Sequence, residues 1–128
     1  MSRLISIFLG GGLGAVSRFL VTQIVAARIP GVFPMGTLAV NATGSFAMGF
    51  IVHSLQSFGL PEQYRSLFAV GFIGAYTTFS TYALETVQLV SKKAYGSAAM
   101  NFLLNNLLSL GAILAGMWLC ARILGGRS

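Results

Sequence analysis

Residues 71–85 read GFIGAYTTFSTYALE, a run of hydroxyl groups placed inside a long apolar segment. Two glycines, Gly71 and Gly74, precede four hydroxyl residues grouped around Phe79, and Glu85 follows one turn after Tyr82. A helix in lipid must satisfy its own backbone hydrogen bonds, so a break of this kind is tolerated only where protein or water covers it. The stretch therefore predicts a broken membrane helix, and we interpret the break as the functional site.

The composition indicates an integral membrane protein with one domain. The chain has 128 residues, of which 55% are hydrophobic and only 8% are charged, whereas a soluble domain has roughly 25% charged residues. Its net charge of +6 comes from scattered basic residues, of which only Lys92 and Lys93 are adjacent, so no basic stripe for nucleic acid forms. A single cysteine excludes an internal disulfide, and with one histidine and two acids no transition-metal site is expected within one chain.

Four segments are long and apolar enough to cross a bilayer, which requires roughly 20 residues. We expect an all-α protein whose membrane helices span residues 4–27, 35–58, 63–90 and 95–124. Prolines at positions 30, 34 and 61 and the Lys92–Lys93 pair separate these segments, because proline cannot continue a helix. The first segment lacks a clear cleavage site, so we interpret it as a membrane helix and not as a signal peptide.

Narrow stripes of small or polar residues follow one face of three predicted helices. They comprise Gly11, Ala15, Arg18 and Thr22; Thr37, Asn41, Gly44, Ser45 and Met48; and Asn101, Asn105, Ser109, Ala112 and Gly116. Small residues let membrane helices approach closely, which favours simple packing. The buried amides require partners, and they mark either a packing bond or a solute path.

The basic residues are almost evenly divided between the two sides of the predicted bundle. One side holds four (Arg3, Arg65, Arg122 and Arg127) and the other holds three (Arg28, Lys92 and Lys93). Orientation follows the lysine and arginine bias, so this near tie permits insertion both ways. Two oppositely oriented copies would form an antiparallel dimer, a geometry that resembles the inverted repeats of many transporters.

The break is rich in hydrogen-bond donors. Asn41 offers an amide, and hydroxyls come from Thr77, Thr78, Ser80, Thr81 and Ser109. Phe79 and Tyr82 present ring edges, which carry partial positive charge. Donors and ring edges suit a small anion, whereas a cation prefers acid rings or carbonyls. The alternative is that the hydroxyls bond back to their own helix and the aromatics fill packing space.

The motif GFxGxxTTFST, followed by an aromatic residue and then by Glu85, resembles the Fluc/CrcB family of fluoride channels. Residues 36–41 and 44–46 also fit, as do Gly11, Gly14, Ala15 and Arg18 in the first helix, and the resemblance covers all four predicted helices. It implies a four-helix subunit of the cell (inner) membrane that assembles as an antiparallel, dual-topology homodimer. It further implies passive fluoride export and a structural Na⁺ at the dimer interface.

The resemblance also assigns roles to individual residues. Asn41 resembles the family's pore asparagine and Phe79 its first pore phenylalanine. Four further positions match the polar track and the Na⁺ carbonyls, namely Ser80 and Thr81 for the track and Gly74 and Thr77 for the ion. Glu85 is placed along or beside the pore, and Ser109 is expected to be a pore-lining hydroxyl.

Two positions have more than one interpretation. Tyr82 stands where the family usually has phenylalanine, and its hydroxyl either donates to the anion or anchors the ring. Arg18 is either an anion attractor or a structural charge paired with Glu85 or a carbonyl. A structural or vestibule role is favoured, because a fixed charge at a narrow point would trap an anion.

No enzyme signature is present, but two other classes of membrane protein remain as alternatives. A small proton-coupled multidrug exporter has similar length and dual topology, but such proteins use an acid in the first helix, where this chain has none. A non-transporting scaffold subunit would leave Asn41 and the hydroxyl run unexplained. Substitution of Asn41 or Phe79 distinguishes a channel from a scaffold.

Overall fold

The computed structural model describes residues 2–125, and within them it contains helices and no strands. Helix α1 spans Arg3–Arg28 and α2 spans Met35–Ser57. The third span, Glu62–Ser91, consists of α3 (Glu62–Arg65), a π-helical segment (Ser66–Ile73), α4 (Gly74–Tyr76) and α5 (Phe79–Ser91). Helix α6 spans Tyr95–Gly125. Of the residues counted above for orientation, Arg127 lies outside the described part of the chain.

The expected all-α architecture with four membrane-spanning helices and a broken third helix is confirmed. All four spans are long and apolar enough to cross a membrane. Their ends follow local chemistry: Ser2 caps α1 by accepting from the Ile5 N–H (3.4 Å), and prolines precede α2 and α3. Gly59 and Lys93 have positive φ angles of 59° and 58° and turn the chain between spans.

Close approach of backbones at glycine holds the helices together. A Cβ added to Gly49 of α2 would collide with the Ile113 carbonyl of α6, and one added to Gly116 of α6 would collide with the Phe46 carbonyl of α2. Helices α2 and α6 therefore touch through their main chains. Gly10 and Gly14 of α1 lie in the same way against the π-helical segment. The small-residue stripe predicted for the first helix is therefore displaced, because Gly10 and Gly14 are buried and Gly11 is only half-buried.

The third span changes neighbours at its break. Its first part, through α4, packs against α1, whereas α5 packs against α6 and does not contact α1. Helix α2 touches both parts, and within residues 2–125 α1 and α6 do not contact each other. The break therefore lies beside α2, where the third span passes from its contacts with α1 to its contacts with α6.

Candidate functional site

The break occupies Thr77 and Thr78, which both have extended backbones. Their φ and ψ angles are −81° and 158° for Thr77 and −151° and 112° for Thr78. The upstream helix ends with the Thr77 N–H and hydroxyl both donating to the Ile73 carbonyl, each at 3.0 Å. The Thr78 hydroxyl oxygen then accepts from the Thr81 N–H at 3.2 Å, which caps α5. One helix thus stops and another starts within two residues.

The side chain of Asn41 in α2 stabilises the extended backbone at the break. Its Oδ1 accepts from the Thr78 N–H at 2.8 Å, and its Nδ2 donates to the Thr78 carbonyl at 3.1 Å. The amide therefore pairs with the extended peptide as a neighbouring strand would. The second Nδ2 proton goes to Asn105 Oδ1 at 2.9 Å. Both N–H groups of Asn41, predicted as donors to an anion, are thus used inside the subunit.

A cavity of about 370 Å³ opens beside this clamp, between α2, the third span and α6. It lies against the break, midway along the third span, and no ionisable side chain of residues 2–125 lines it. Its wall combines neutral polar groups with apolar surface and is formed by Asn41, Gly44, Ser45, Met48, Ile73, Thr77, Thr78, Phe79, Asn105, Asn106, Ser109, Leu110 and Ile113. Three of the predicted pore residues, Asn41, Phe79 and Ser109, are brought together here.

Two hydroxyls of the cavity wall have their donors available. Ser45 and Ser109 line the cavity, and neither side-chain hydroxyl has a hydrogen-bond partner among residues 2–125. Ser45 was not among the predicted site residues. Its position four residues after Asn41, on the same polar stripe, was the signal that pointed to it.

The two aromatic rings of α5 have different environments. They pack edge to face, with centroids 5.3 Å apart and planes at 72°. Phe79 is 76% exposed and reaches the cavity, whereas Tyr82 is 6% exposed and lies outside its wall. The Tyr82 hydroxyl accepts from Asn106 Nδ2 at 3.1 Å, as a group that anchors the ring would.

Other predicted site residues lie away from the cavity of a single subunit. Ser80, Thr81 and Gly74 are exposed on its surface. Thr81 Oγ1 accepts a hydrogen bond from the Thr78 hydroxyl at 2.9 Å. None of these three residues lines the cavity, and Ser80 and Thr81 lie on the outer face of α5, so their assignment to a polar track stays a prediction.

Glu85 belongs to a second cavity of about 220 Å³, next to the loop between α1 and α2. Its Oε1 accepts from the Thr37 hydroxyl at 2.8 Å, and its buried Oε2 has no partner among residues 2–125. The pairing of Arg18 with Glu85 that the sequence left open does not form, because the half-buried Arg18 side chain has no hydrogen-bond or ion-pair partner in the described chain.

The break also supplies oxygen atoms suited to a hard cation. The Thr78 N–H, which a continuous helix would give to the Gly74 carbonyl, is given to Asn41. The Gly74 carbonyl is thereby released from its helical partner, and the Thr77 carbonyl follows in extended backbone. Among the described residues no group of three His, Cys, Asp or Glu side chains could hold a metal ion. Backbone oxygens at Gly74 and Thr77 fit the chemistry of Na⁺, which prefers neutral or charged oxygen ligands.

Comparison with known proteins identifies the family. The profile described as "CrcB-like protein, Camphor Resistance (CrcB)" matches residues 5–117. The chain belongs to the CrcB family. Its four apolar spans and this membership make it a multi-pass membrane protein, which in a bacterium places it in the inner membrane.

Several relatives of this chain are named as fluoride-specific ion channels. Fluoride-specific ion channel FluC 1 of Leifsonia xyli subsp. xyli is 40% identical over 115 residues, which cover 90% of this chain and 84% of that protein. FluC 2 of Mycobacterium bovis is 44% identical over 115 residues, 90% of this chain and 88% of that protein. FluC of Methylococcus capsulatus is 44% identical over 124 residues, 96% of this chain but 54% of that longer protein.

Proposed function

We propose that this protein is a fluoride-selective channel that passively exports fluoride and so lowers its cytoplasmic concentration. The observation that carries the proposal is the cavity at the break, which offers neutral donors and the Phe79 ring within the membrane. The names of the CrcB relatives support the same ion. Among residues 2–125 no carboxylate lines the cavity, so the cavity does not favour the proton-coupled exporter.

The chemistry of the wall answers the main difficulty of fluoride transport, which is dehydration. Moving a bare ion into a low-dielectric medium costs roughly tens of kcal/mol, so donors must replace its water at several points. Each point must also release the ion. Neutral hydroxyls and a ring edge meet both requirements, because they attract the anion without the deep trap that a fixed positive charge would create. Close contacts in a narrow path would favour fluoride over the larger chloride ion.

The proposal includes an antiparallel homodimer. A single subunit leaves polar groups of its spans exposed, including Ser80, Thr81 and the hydrogen-bonded pair of Thr43 and Tyr76. Lipid offers such groups no hydrogen-bond partners. A second copy would cover them, and the near tie of basic residues permits that copy to insert in the opposite orientation.

The proposal also includes a structural Na⁺ at the interface of this dimer. The ion would be held by the Gly74 and Thr77 carbonyls of both copies, and its charge would neutralise the carbonyl dipoles that the break exposes. Gly74 is exposed on the subunit surface, which supports a site shared with a partner. When bound, the ion would supply rigidity at the break.

The test is anion efflux from liposomes that contain the purified protein, read first with a fluoride electrode and then with a chloride electrode. We expect fast fluoride release without chloride release, and liposomes without protein give the baseline. If folded protein released neither fluoride nor chloride, the channel would be refuted. Asn41→Ala and Phe79→Ala then separate a channel from a scaffold, since only a channel would lose its function in these variants.

A further inference from the structure

A chain of buried side-chain hydrogen bonds runs from Asn41 across α6 and back to α5. Asn41 Nδ2 donates to Asn105 Oδ1 (2.9 Å), and Asn105 Nδ2 donates to Asn101 Oδ1 (2.8 Å). Asn101 Nδ2 then donates to Thr86 Oγ1 (2.9 Å), whose hydroxyl donates to the Tyr82 carbonyl (2.8 Å). The three amides are 8%, 5% and 0% exposed for Asn41, Asn105 and Asn101. We call this chain the amide ladder.

The two ends of the amide ladder fix its direction. At one end the Thr78 N–H can only donate, so the Asn41 oxygen must face it and the Asn41 nitrogen must face α6. At the other end the Tyr82 carbonyl can only accept, so the Thr86 hydroxyl must donate to it and must accept from Asn101. Every amide between them therefore has one orientation in which each donor meets an acceptor. A flipped amide anywhere would set donor against donor in a buried site.

Both ends of the amide ladder lie at the start of α5. Thr78 caps that helix, and Tyr82 is in its first turn beside Phe79. The circuit therefore leaves α5, crosses α2 and α6, and returns to α5. Few residues of α5 contact α2 directly. The ladder therefore adds a second connection, through α6, between the break and the rest of the subunit.

We propose that Asn105, supported by Asn101 and Thr86, is a positioning residue that holds the Asn41 amide in the orientation required to clamp the break. Asn105 acts on permeation through Asn41, whose hydrogen bonds to Thr78 place the first turn of α5. This inference rests on the proposed channel function. It assigns to two asparagines of α6 a role that helix packing alone would not require.

The test measures fluoride efflux in Asn105→Leu, which keeps the approximate volume but removes both ladder bonds. Because the variant leaves the Asn41 amide without its buried acceptor on α6, we expect efflux to fall about tenfold. The matched control is Ser54→Ala, which removes another contact between α2 and α6, that of the Ser54 hydroxyl with the Cys120 sulfur at 3.0 Å. That control should conduct like the wild type.

A double-mutant cycle separates positioning from general packing. If Asn105 acts through Asn41, then Asn105→Leu should cause little further increase in exchange of the Thr78 N–H in an Asn41→Ala background, where efflux is already lost. Additive increases in exchange would overturn the proposal, and so would wild-type efflux in Asn105→Leu. Should Asn105→Leu fail to fold, Thr86→Val interrupts the far end of the ladder with a residue of similar shape. It should reduce efflux several-fold, and unchanged efflux would contradict the ladder.

Amide hydrogen exchange at Thr78 tests the same idea without any conduction. We expect exchange of this N–H to be about tenfold faster in Asn105→Leu than in the wild type or in Ser54→Ala, since its acceptor is no longer held. Equal exchange in all three proteins would overturn the proposal. If the wild type releases no fluoride, but the Thr78 N–H still exchanges faster in Asn105→Leu than in the wild type and Ser54→Ala, the channel is refuted and the positioning role stays in place.

Discussion

At the scale of single residues, the donors that remain available distinguish a binding surface from a structural clamp. Ser45 and Ser109 line the cavity without partners in the described chain, whereas Asn41 uses both of its N–H groups internally. We therefore expect Ser45→Ala and Ser109→Ala each to slow fluoride efflux about three- to tenfold, since each removes one donor worth about 1 kcal/mol. Thermal unfolding should hardly change. Ser45→Thr and Ser109→Thr keep the hydroxyl and serve as controls, and full activity in the alanine variants would contradict a direct role.

The sequence indicated which residue types form the site but not how they pair. The polar stripe and the motif pointed to Asn41 and to the break at Thr77. The partners of Asn41 lie 37 and 64 residues away, at Thr78 and Asn105, and no local periodicity encodes such a pairing. The separate cavity around Glu85 was likewise not predictable, because it depends on how the loop between α1 and α2 folds over Thr37.

At the scale of elements, glycines decide how closely α2 and α6 pack. A Cβ at Gly116 would collide with the Phe46 carbonyl, so we expect Gly116→Ala to destabilise the protein by about 1–3 kcal/mol. Gly111→Ala on the same helix is the matched control, because its Cβ would meet nothing within 4 Å. Thermal unfolding in detergent measures the difference, and equal midpoints for the two variants would show that the close contact does not matter.

The extent of each span could be predicted from the sequence because hydrophobic length and proline positions set it. Both ends of each of these four spans lie within one residue of the expected position. The π-helical turns at Ser66–Ile73 were not predicted, since wider turns of this kind depend on neighbours. Here the neighbour is α1, whose Gly10 and Gly14 admit the widened backbone so closely that a Cβ on either glycine would collide with it.

At the scale of the whole molecule, the proposed Na⁺ should bind the assembled dimer and not the separate subunits. Protein depleted of Na⁺ by prolonged dialysis into a large organic cation should lose thermal stability, because the carbonyls of Gly74 and Thr77 would repel one another across the interface. Restoring Na⁺ should recover that stability, and K⁺ at equal concentration controls for ionic strength. Stability and fluoride efflux that are indifferent to Na⁺ would argue against the ion site.

The near tie of basic residues makes a sharper prediction about assembly. Arg28, Lys92 and Arg3 are exposed and have no ion-pair partners in residues 2–125. Replacing Arg28 and Lys92 with glutamine changes the numbers of basic residues on the two sides from four and three to four and one. This bias should drive insertion in one orientation. Such a variant cannot form an antiparallel pair, so it should conduct little fluoride alone.

The matched control removes one charge from each side, Arg3→Gln with Arg28→Gln, which leaves three against two and should preserve conduction. Co-expression gives the decisive comparison. A partner with the opposite bias is made by replacing Arg3, Arg65 and Arg122 with glutamine, which leaves one basic residue against three. It should restore efflux to the one-sided variant, because each copy then supplies the orientation that the other lacks. A one-sided variant that conducts fully by itself would show that the subunits pair in parallel, and the polar face of α5 would then need a different cover.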